Sequence, residues 1–579
     1  LDRGRDHWPT ATAPSEKDFT VRRSPALLVV GAALAGVLVA GCGTGPSGNP
    51  ETSGAPQAIG QNDINPVDPG RLKDGGELKW PVEDYPAQFN MLHADATNGD
   101  IPPVVQSIMP TPVISDAAGN WSPDPAYLES FQLTSTNPQK VTYRLNRTAH
   151  WSDGNPITWS DYRSQWAALN GRDTTFNVLS TAGYANITDV SRGVDDYEFT
   201  ATFGPAYAEW KNLFQVLYPK SMTADPEEFN KGWKDAPKVT GGPFKVGILD
   251  PTGKTVTVVR DSGWWGAKPK LDRIVFRYVD TGQQRVDALA NGELDFTGVA
   301  ADLNVYQRAR TLPGIALRRA TLPNYRTIVF NGGGNSIVKD PELRKAIMRG
   351  IDRTVIAKAL VGQLLPDAEP LGNHLYVKGF PGYQDNAAVV AYDPEAARRR
   401  LDELGWRQDG HVRRKDGVEL RIRDVVPAGT AASVQEAQMV QKQLAEIGVD
   451  VQVQTVDSHG FFDQHVVPGD FDITHFAQMG TGSPVSDALS SFTVGPQAQQ
   501  NYGRIGDDRI NQLLNQAAGE LDDAKRAQLV NQADQELWNL GHSLPLYRRP
   551  SIVAVRDKLA NMGNIGLASV DYTRMGWLP

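Results

Sequence analysis

The sequence predicts an α/β protein whose sheets lie beneath helices. Two patterns carry this. Strand signals recur in hairpin-like pairs through the first half, with apolar and polar residues alternating. In the second half, helices opened by Asp-Pro alternate with short apolar strands. Gly76-Glu77-Leu78-Lys79-Trp80 reads as the first strand. Val141-Thr142-Tyr143-Arg144-Leu145 and the run from Tyr197 to Phe203 alternate cleanly. Phe244–Ile248 and Thr255–Val259 flank a Pro-Thr-Gly-Lys turn, and Ile274–Tyr278 follows. Asp340-Pro341 supplies an N-cap and a first helical position. The apolar residues Leu343, Ile347, Ile351 and Val355 then fall every four residues, which predicts one helix through all of them. Asp393-Pro394 opens another, ending at Leu404-Gly405. Residues 431–447 form a third, followed by the strand Val449–Val453. No internal repeat is visible.

The first 76 residues read differently. Arg22 and Arg23 precede a nearly unbroken apolar stretch from Pro25 to Gly41, the layout of a secretory signal over residues 1–41. The stretch is shorter than the roughly 20 residues a spanning helix needs. It ends in Val39-Ala40-Gly41-Cys42, which resembles a bacterial lipobox, and Cys42 is the only cysteine. A thiolate is the side-chain nucleophile best suited to S-alkylation, so Cys42 is expected to carry lipid and become the mature N-terminus. Residues 1–20 are charged and polar and read as lying upstream of the signal's true start. Residues 42–76, rich in small and polar types, are expected to form a flexible tether between the lipid and the folded body. An exported chain without disulfides must be held by its core alone, which is easy at this size.

Composition and motif spacing exclude several functions. The formal net charge is −9 and the basic residues are dispersed apart from Arg398-Arg399-Arg400, which argues against nucleic-acid binding. The run Gly247–Thr255 imitates a P-loop, but five residues separate its glycines, one of them proline, and a strand follows where a helix is required. There is no H-E-x-x-H and the histidines are scattered, so no metal site is expected. No G-x-S-x-G elbow occurs. Neither a cofactor nor enzymatic catalysis is expected.

Several segments, in order, carry a resemblance. Ala149-His150-Trp151-Ser152-Asp153-Gly154-Asn155-Pro156-Ile157-Thr158 runs into Trp159-Ser160-Asp161-Tyr162. Thr240-Gly241-Gly242-Pro243-Phe244-Lys245-Val246 and Ala290-Asn291-Gly292-Glu293-Leu294-Asp295-Phe296 follow. Phe330-Asn331, then Asp340 through Asp352-Arg353, then Tyr392-Asp393-Pro394-Glu395 through Gly405-Trp406, and finally Leu544-Pro545-Leu546-Tyr547 complete the series. Together they resemble the extracellular solute-binding proteins of oligopeptide and dipeptide importers, family 5, in an actinobacterial branch. Trp264-Trp265 resembles that family's aromatic pair.

The resemblance implies a two-lobed periplasmic-binding clamp of type II with an extra small inserted domain. Lobe I would span 77–334 with the insertion near 97–220, lobe II 335–540, and 541–579 would return to lobe I. It implies a monomeric, membrane-anchored, extracytoplasmic receptor that delivers a peptide or other polar solute to ABC permease subunits. A regulatory role in cell-envelope lipoglycan synthesis is the alternative. First-lobe contacts are expected from Phe89, Asn90 and His93, which follow the first strand. Tyr325 and Asn331 lie near the crossover, and Met479, Thr481 and Ser483 belong to a polar loop. Family members place an aspartate for the peptide's α-amino group where this chain has Gly480. No carboxylate occurs from Thr474 to Ser486, and Asp487 reads as a turn cap.

Overall fold

The computed structural model describes residues 59–82, 85–96, 101–299, 302–495 and 498–579. The signal segment, Cys42 and the tether up to residue 58 lie outside the described residues.

Local chemistry sets most elements. Glu77–Val82 runs parallel to Arg273–Tyr278, which pairs antiparallel with Thr255–Arg260 and through it with Phe244–Asp250. The P-loop-like run is the turn of this last hairpin, with Lys254 at φ 50°. Leu128–Thr136, Gln139–Leu145, Glu198–Phe203 and Ile187–Arg192 form an antiparallel sheet whose alternating residues are buried on one face. Inward residues of both sheets, among them Leu78, Val258, Phe276, Tyr143 and Phe199, share one continuous core.

A second, separate core lies under a five-stranded sheet ordered Asp450–Val456, Arg421–Pro427, Ile473–Gln478, Tyr325–Phe330, Ser543–Arg548. Helix Ala431–Ala445 packs on it. Its central strands carry a buried, charge-balanced network. Arg326 makes a bidentate contact to Glu436 at 2.9 and 2.7 Å, Tyr547 donates to the same carboxylate, and His475 bridges Glu436 to Asp424. Burial alone would raise Glu436, but Arg326 and His475 outweigh it and hold it down to about 2. Burial would lower His475, but Asp424 and Glu436 push it up to about 9.

Two chain crossings join the lobes. Ile315–Ala320 belongs to a three-stranded sheet with Ser551–Arg556 and Phe296–Gly298, so the chain crosses at residues 321–324 and returns at 549–550. Arg549 N donates to Asn324 O at 2.8 Å, tying the crossings into one hinge. The boundaries expected at 334/335 and 540/541 therefore move, because Tyr325–Phe330 and Ser543–Arg548 hydrogen-bond into the second-lobe sheet.

Two further expectations change. Residues 59–76, assigned to the tether, lie on the body. Asp63 and Asn564 exchange backbone bonds at 2.8 and 2.9 Å, Lys73 N donates to Trp577 O, and Leu72 is buried. Backbone pairing with a distant segment holds this stretch, and composition does not register it. The helix at Pro341 stops at Arg349. Asp352 then caps a second helix, Arg353–Val361, accepting from Thr354 N and Val355 N. Ile351 is buried at the break, and Val355 faces solvent at 49% exposure.

Candidate functional site

A cavity of about 690 Å3 opens between the lobes. First-lobe residues Ser180, Gly183 and Tyr207 form one wall. The opposite wall is an aromatic shelf in the second lobe, where Phe462, Phe476 and Tyr502 meet with ring centroids 5.5 to 5.9 Å apart. Met479 and Phe462 remain 54% and 42% exposed there and add apolar surface to the cavity wall. Glutamines and serines fill much of the remaining rim.

Among the described residues, Asp487 is the only charged side chain in the lining. It does cap a turn, accepting from Thr481 N at 2.7 Å and from Thr481 Oγ1 at 3.0 Å. Burial nevertheless pushes its carboxyl above the ordinary range, with the Thr481 bonds only partly offsetting this. A partly desolvated carboxylate without a cation favours a cationic ligand group.

The rim of the cavity is also the seam between the lobes. Glu209 of the first lobe accepts from Val485 N at 2.9 Å and from Ser486 N at 3.1 Å, and Ser486 Oγ donates to it as well. These donors open helix Pro484–Phe492, whose own N-cap, Ser483, makes no side-chain capping bond. The helix is thus capped from across the cleft. Asn212 reaches Ser483 Oγ, Tyr207 OH lies 3.2 Å from Ser486 Oγ, and Ala208 N donates to Ala518 O at 2.7 Å. Burial in this seam pushes the Glu209 carboxyl upward against the pull of its donors.

The residues singled out from sequence divide. Met479 and Thr481 line the cavity. Ser483 lies in the seam beside it. Gly480 sits on the hinge: its N–H donates to Asn324 Oδ1 at 3.0 Å, and a Cβ there would stand 2.6 Å from Pro323 O. Its missing side chain makes room for the crossing chain. Phe89 and Asn90 are buried in the first lobe, where the Asn90 amide donates to Phe229 O. His93 Nδ1 accepts from Asp95 N, and burial lowers the ring's pKa. Tyr325 OH donates to His374 O, and the Asn331 amide donates to Gly469 O and Phe471 O. These five hold loops and strand ends and do not line the interlobe cavity. Sequence reasoning missed Glu209, Tyr207 and the aromatic shelf. Glu209 and Tyr207 find their partners more than 270 residues away, the shelf is assembled from a loop and two further segments, and no local pattern marks any of them. Among the described residues, no group of His, Cys, Asp or Glu could hold a metal, and no helix is long and apolar enough to cross a membrane.

Comparison with known proteins agrees with this architecture. The family model for bacterial extracellular solute-binding proteins, family 5 Middle, matches residues 122–500. The oligopeptide-binding protein OppA of Mycobacterium tuberculosis is 42% identical over 520 residues, covering 89% of this chain and 87% of OppA. The protein named "Probable monoacyl phosphatidylinositol tetramannoside-binding protein LpqW" from the same species is 25% identical over 457 residues, covering 73% of this chain and 70% of LpqW. Among solved structures, the periplasmic EDTA-binding protein EppA superposes with TM-score 0.83 at 24% identity, covering 91% of this chain and all of EppA. The oligopeptide-binding protein AppA from Bacillus subtilis, in complex with a nonapeptide, superposes with TM-score 0.69 at 18% identity, covering 88% of this chain and all of AppA. The chain belongs to the bacterial extracellular solute-binding proteins of family 5 and has their two-lobed type II periplasmic-binding fold.

Proposed function

We propose that this protein captures oligopeptides outside the cell and delivers them to the permease of an ABC importer, held at the membrane by lipid on Cys42. The observation that carries the reading is the interlobe cavity, with an aromatic shelf, many amide and hydroxyl groups and Asp487 as its one charge. That lining suits a chain of mixed side chains with an ammonium at one end. The peptide's N-terminus sits against Asp487, its apolar side chains lie on Phe462, Phe476 and Tyr502, and Gln478 and its neighbours bond to the backbone. No covalent step is involved. The open clamp binds, the lobes rotate about residues 321–324 and 549–550, and Glu209 engages helix Pro484–Phe492 to hold the closed state. A ligand touching both lobes shifts the population toward closure by its differential affinity for the two states.

The OppA relative, at 42% identity, supports peptide over glycolipid cargo, since the LpqW likeness is much weaker. The test is calorimetric titration of the full chain with short peptides bearing free or acetylated N-termini, after mass spectrometry of co-purified small molecules. Binding of the free form, weakened by acetylation, is expected. If no peptide binds and a mannoside does, the reading fails.

A further inference from the structure

A second cavity, of about 740 Å3, is lined only by first-lobe residues, from Asp68 to Thr148, Pro243 to Ala267 and Ser569 to Arg574. Its aromatic wall is the Trp264-Trp265 pair, with ring centroids 4.4 Å apart, and Tyr127 meets both rings at 5.5 and 5.6 Å. The hydrogen-bonding ends of all three are already used on the protein. Trp264 Nε1 donates to Ala267 O, Trp265 Nε1 to Ala126 O, and Tyr127 OH to Gly241 O, each within 3.0 Å. His150 also packs on Trp265, with ring centroids 4.7 Å apart, so the partly exposed indoles offer their remaining π-surface and no donor to whatever enters.

Besides Asp68, two carboxylates stand at the same cavity. Asp124 accepts one bond, from Ala126 N at 2.9 Å. Burial pushes its carboxyl up, and the charge of Asp571 adds to the effect. The Asp571 carboxylate accepts from Thr573 N and Oγ1. Neither forms an ion pair among the described residues. Arg574 lines the rim without pairing to either, and Asp68 is occupied in capping Gly70 N. Two mutually repelling carboxylates, one of them partly desolvated, are unfavourable alone and favourable around a positive charge. Indole faces are the best aromatic partners for such a charge. A neutral sugar would stack on the same rings but leave the carboxylate repulsion in place.

We propose that this first-lobe cavity binds a compact organic cation, a primary or quaternary amine, between the Trp264-Trp265 faces and the Asp124 and Asp571 carboxylates. Among the described residues, none from the second lobe lines this cavity, so binding here is independent of lobe closure and of what occupies the cleft.

The test titrates the full chain with choline and with 1,5-diaminopentane, following tryptophan fluorescence and heat, with maltose as the neutral control. Saturable binding of at least one amine below about 10 mM is expected. Asp124→Asn and Asp571→Asn should each weaken it several-fold, and the pair about tenfold or more. Glu209→Ala, which acts on the interlobe seam, should leave it unchanged. Circular dichroism establishes that the Asn variants are folded, and Asp571→Asn, at an exposed position, provides a second route if Asp124→Asn is not. No amine binding, amine binding indifferent to both Asn substitutions, or maltose binding in place of amines would each overturn the proposal.

Discussion

Glu209 offers a direct measurement of what holds the clamp shut. Replacing it with alanine removes three hydrogen bonds that the second-lobe helix Pro484–Phe492 donates across the seam. In the open state both the carboxylate and the helix end face water, so only the difference counts. A hydrogen bond to a charged group contributes about 1.5–3 kcal/mol net, and loss of an N-cap costs about 0.5–2 kcal/mol. These figures describe the same atoms and do not add. Desolvation, visible in the raised Glu209 carboxyl, offsets part of the gain. A net loss of closure free energy of about 2 kcal/mol results, which weakens apparent peptide affinity roughly 30-fold. Glu209→Gln keeps one acceptor oxygen and should cost about 1 kcal/mol, roughly fivefold. The sign with pH also follows. The Glu209 carboxyl is raised in the closed form relative to an exposed one, so acidification from neutral toward the ordinary carboxylate range favours closure, and Glu209→Gln abolishes that dependence. Titration calorimetry with a bound peptide reads the affinity, and small-angle scattering with and without peptide reads the lobe arrangement. An alanine variant with affinity within about twofold of the parent and identical scattering would refute the reasoning, because the seam would then contribute no more than a surface contact.

Three further outcomes are expected. Asp487→Asn should weaken peptides with a free N-terminus about tenfold or more while sparing acetylated ones. In the parent protein that affinity should fall with acidification, beginning above the ordinary carboxylate range because burial raises Asp487; paired titrations at several pH values check both statements. Gly480→Ala should lower the unfolding free energy by about 1–3 kcal/mol and bring the denaturant midpoint down with it, since its Cβ meets Pro323 O at 2.6 Å; an unchanged midpoint would show that the hinge yields without cost. His475, raised to about 9 in the fold, contributes stability that is complete below about 6.5 and lost as pH climbs through 9, and His475→Gln should flatten that slope in denaturant titrations.

Much of the framework was legible because its causes are local. Asp340 and Asp393 mark helix starts within three residues of the atoms they contact, and alternation in Gln139–Leu145 reports one buried face. The break at Gly350-Ile351-Asp352 was misread because the fourfold apolar spacing continued through it, although Asp352 had a cap's chemistry all along. In the site, Met479 and Thr481 were reachable by position in the family pattern. Asp487 was read as a cap, which it is, while its place on the cavity wall stayed invisible. The family resemblance leads one to expect a carboxylate at Gly480, and its contact with Pro323 shows why a side chain has no room there.

By itself the sequence determined the α/β class, the order of most strands and helices, the family, and the expectation of a lipid-bearing Cys42. Each rests on short-range patterning or on motifs readable along the chain. Tertiary structure alone decided where the lobes divide, that residues 59–76 pair with the C-terminal segment, that Glu209 caps a helix 276 residues away, and which side chains face the cleft. Those are properties of surfaces brought together by folding. Backbone pairing and charge burial between distant segments leave no periodic trace in the chain that makes them.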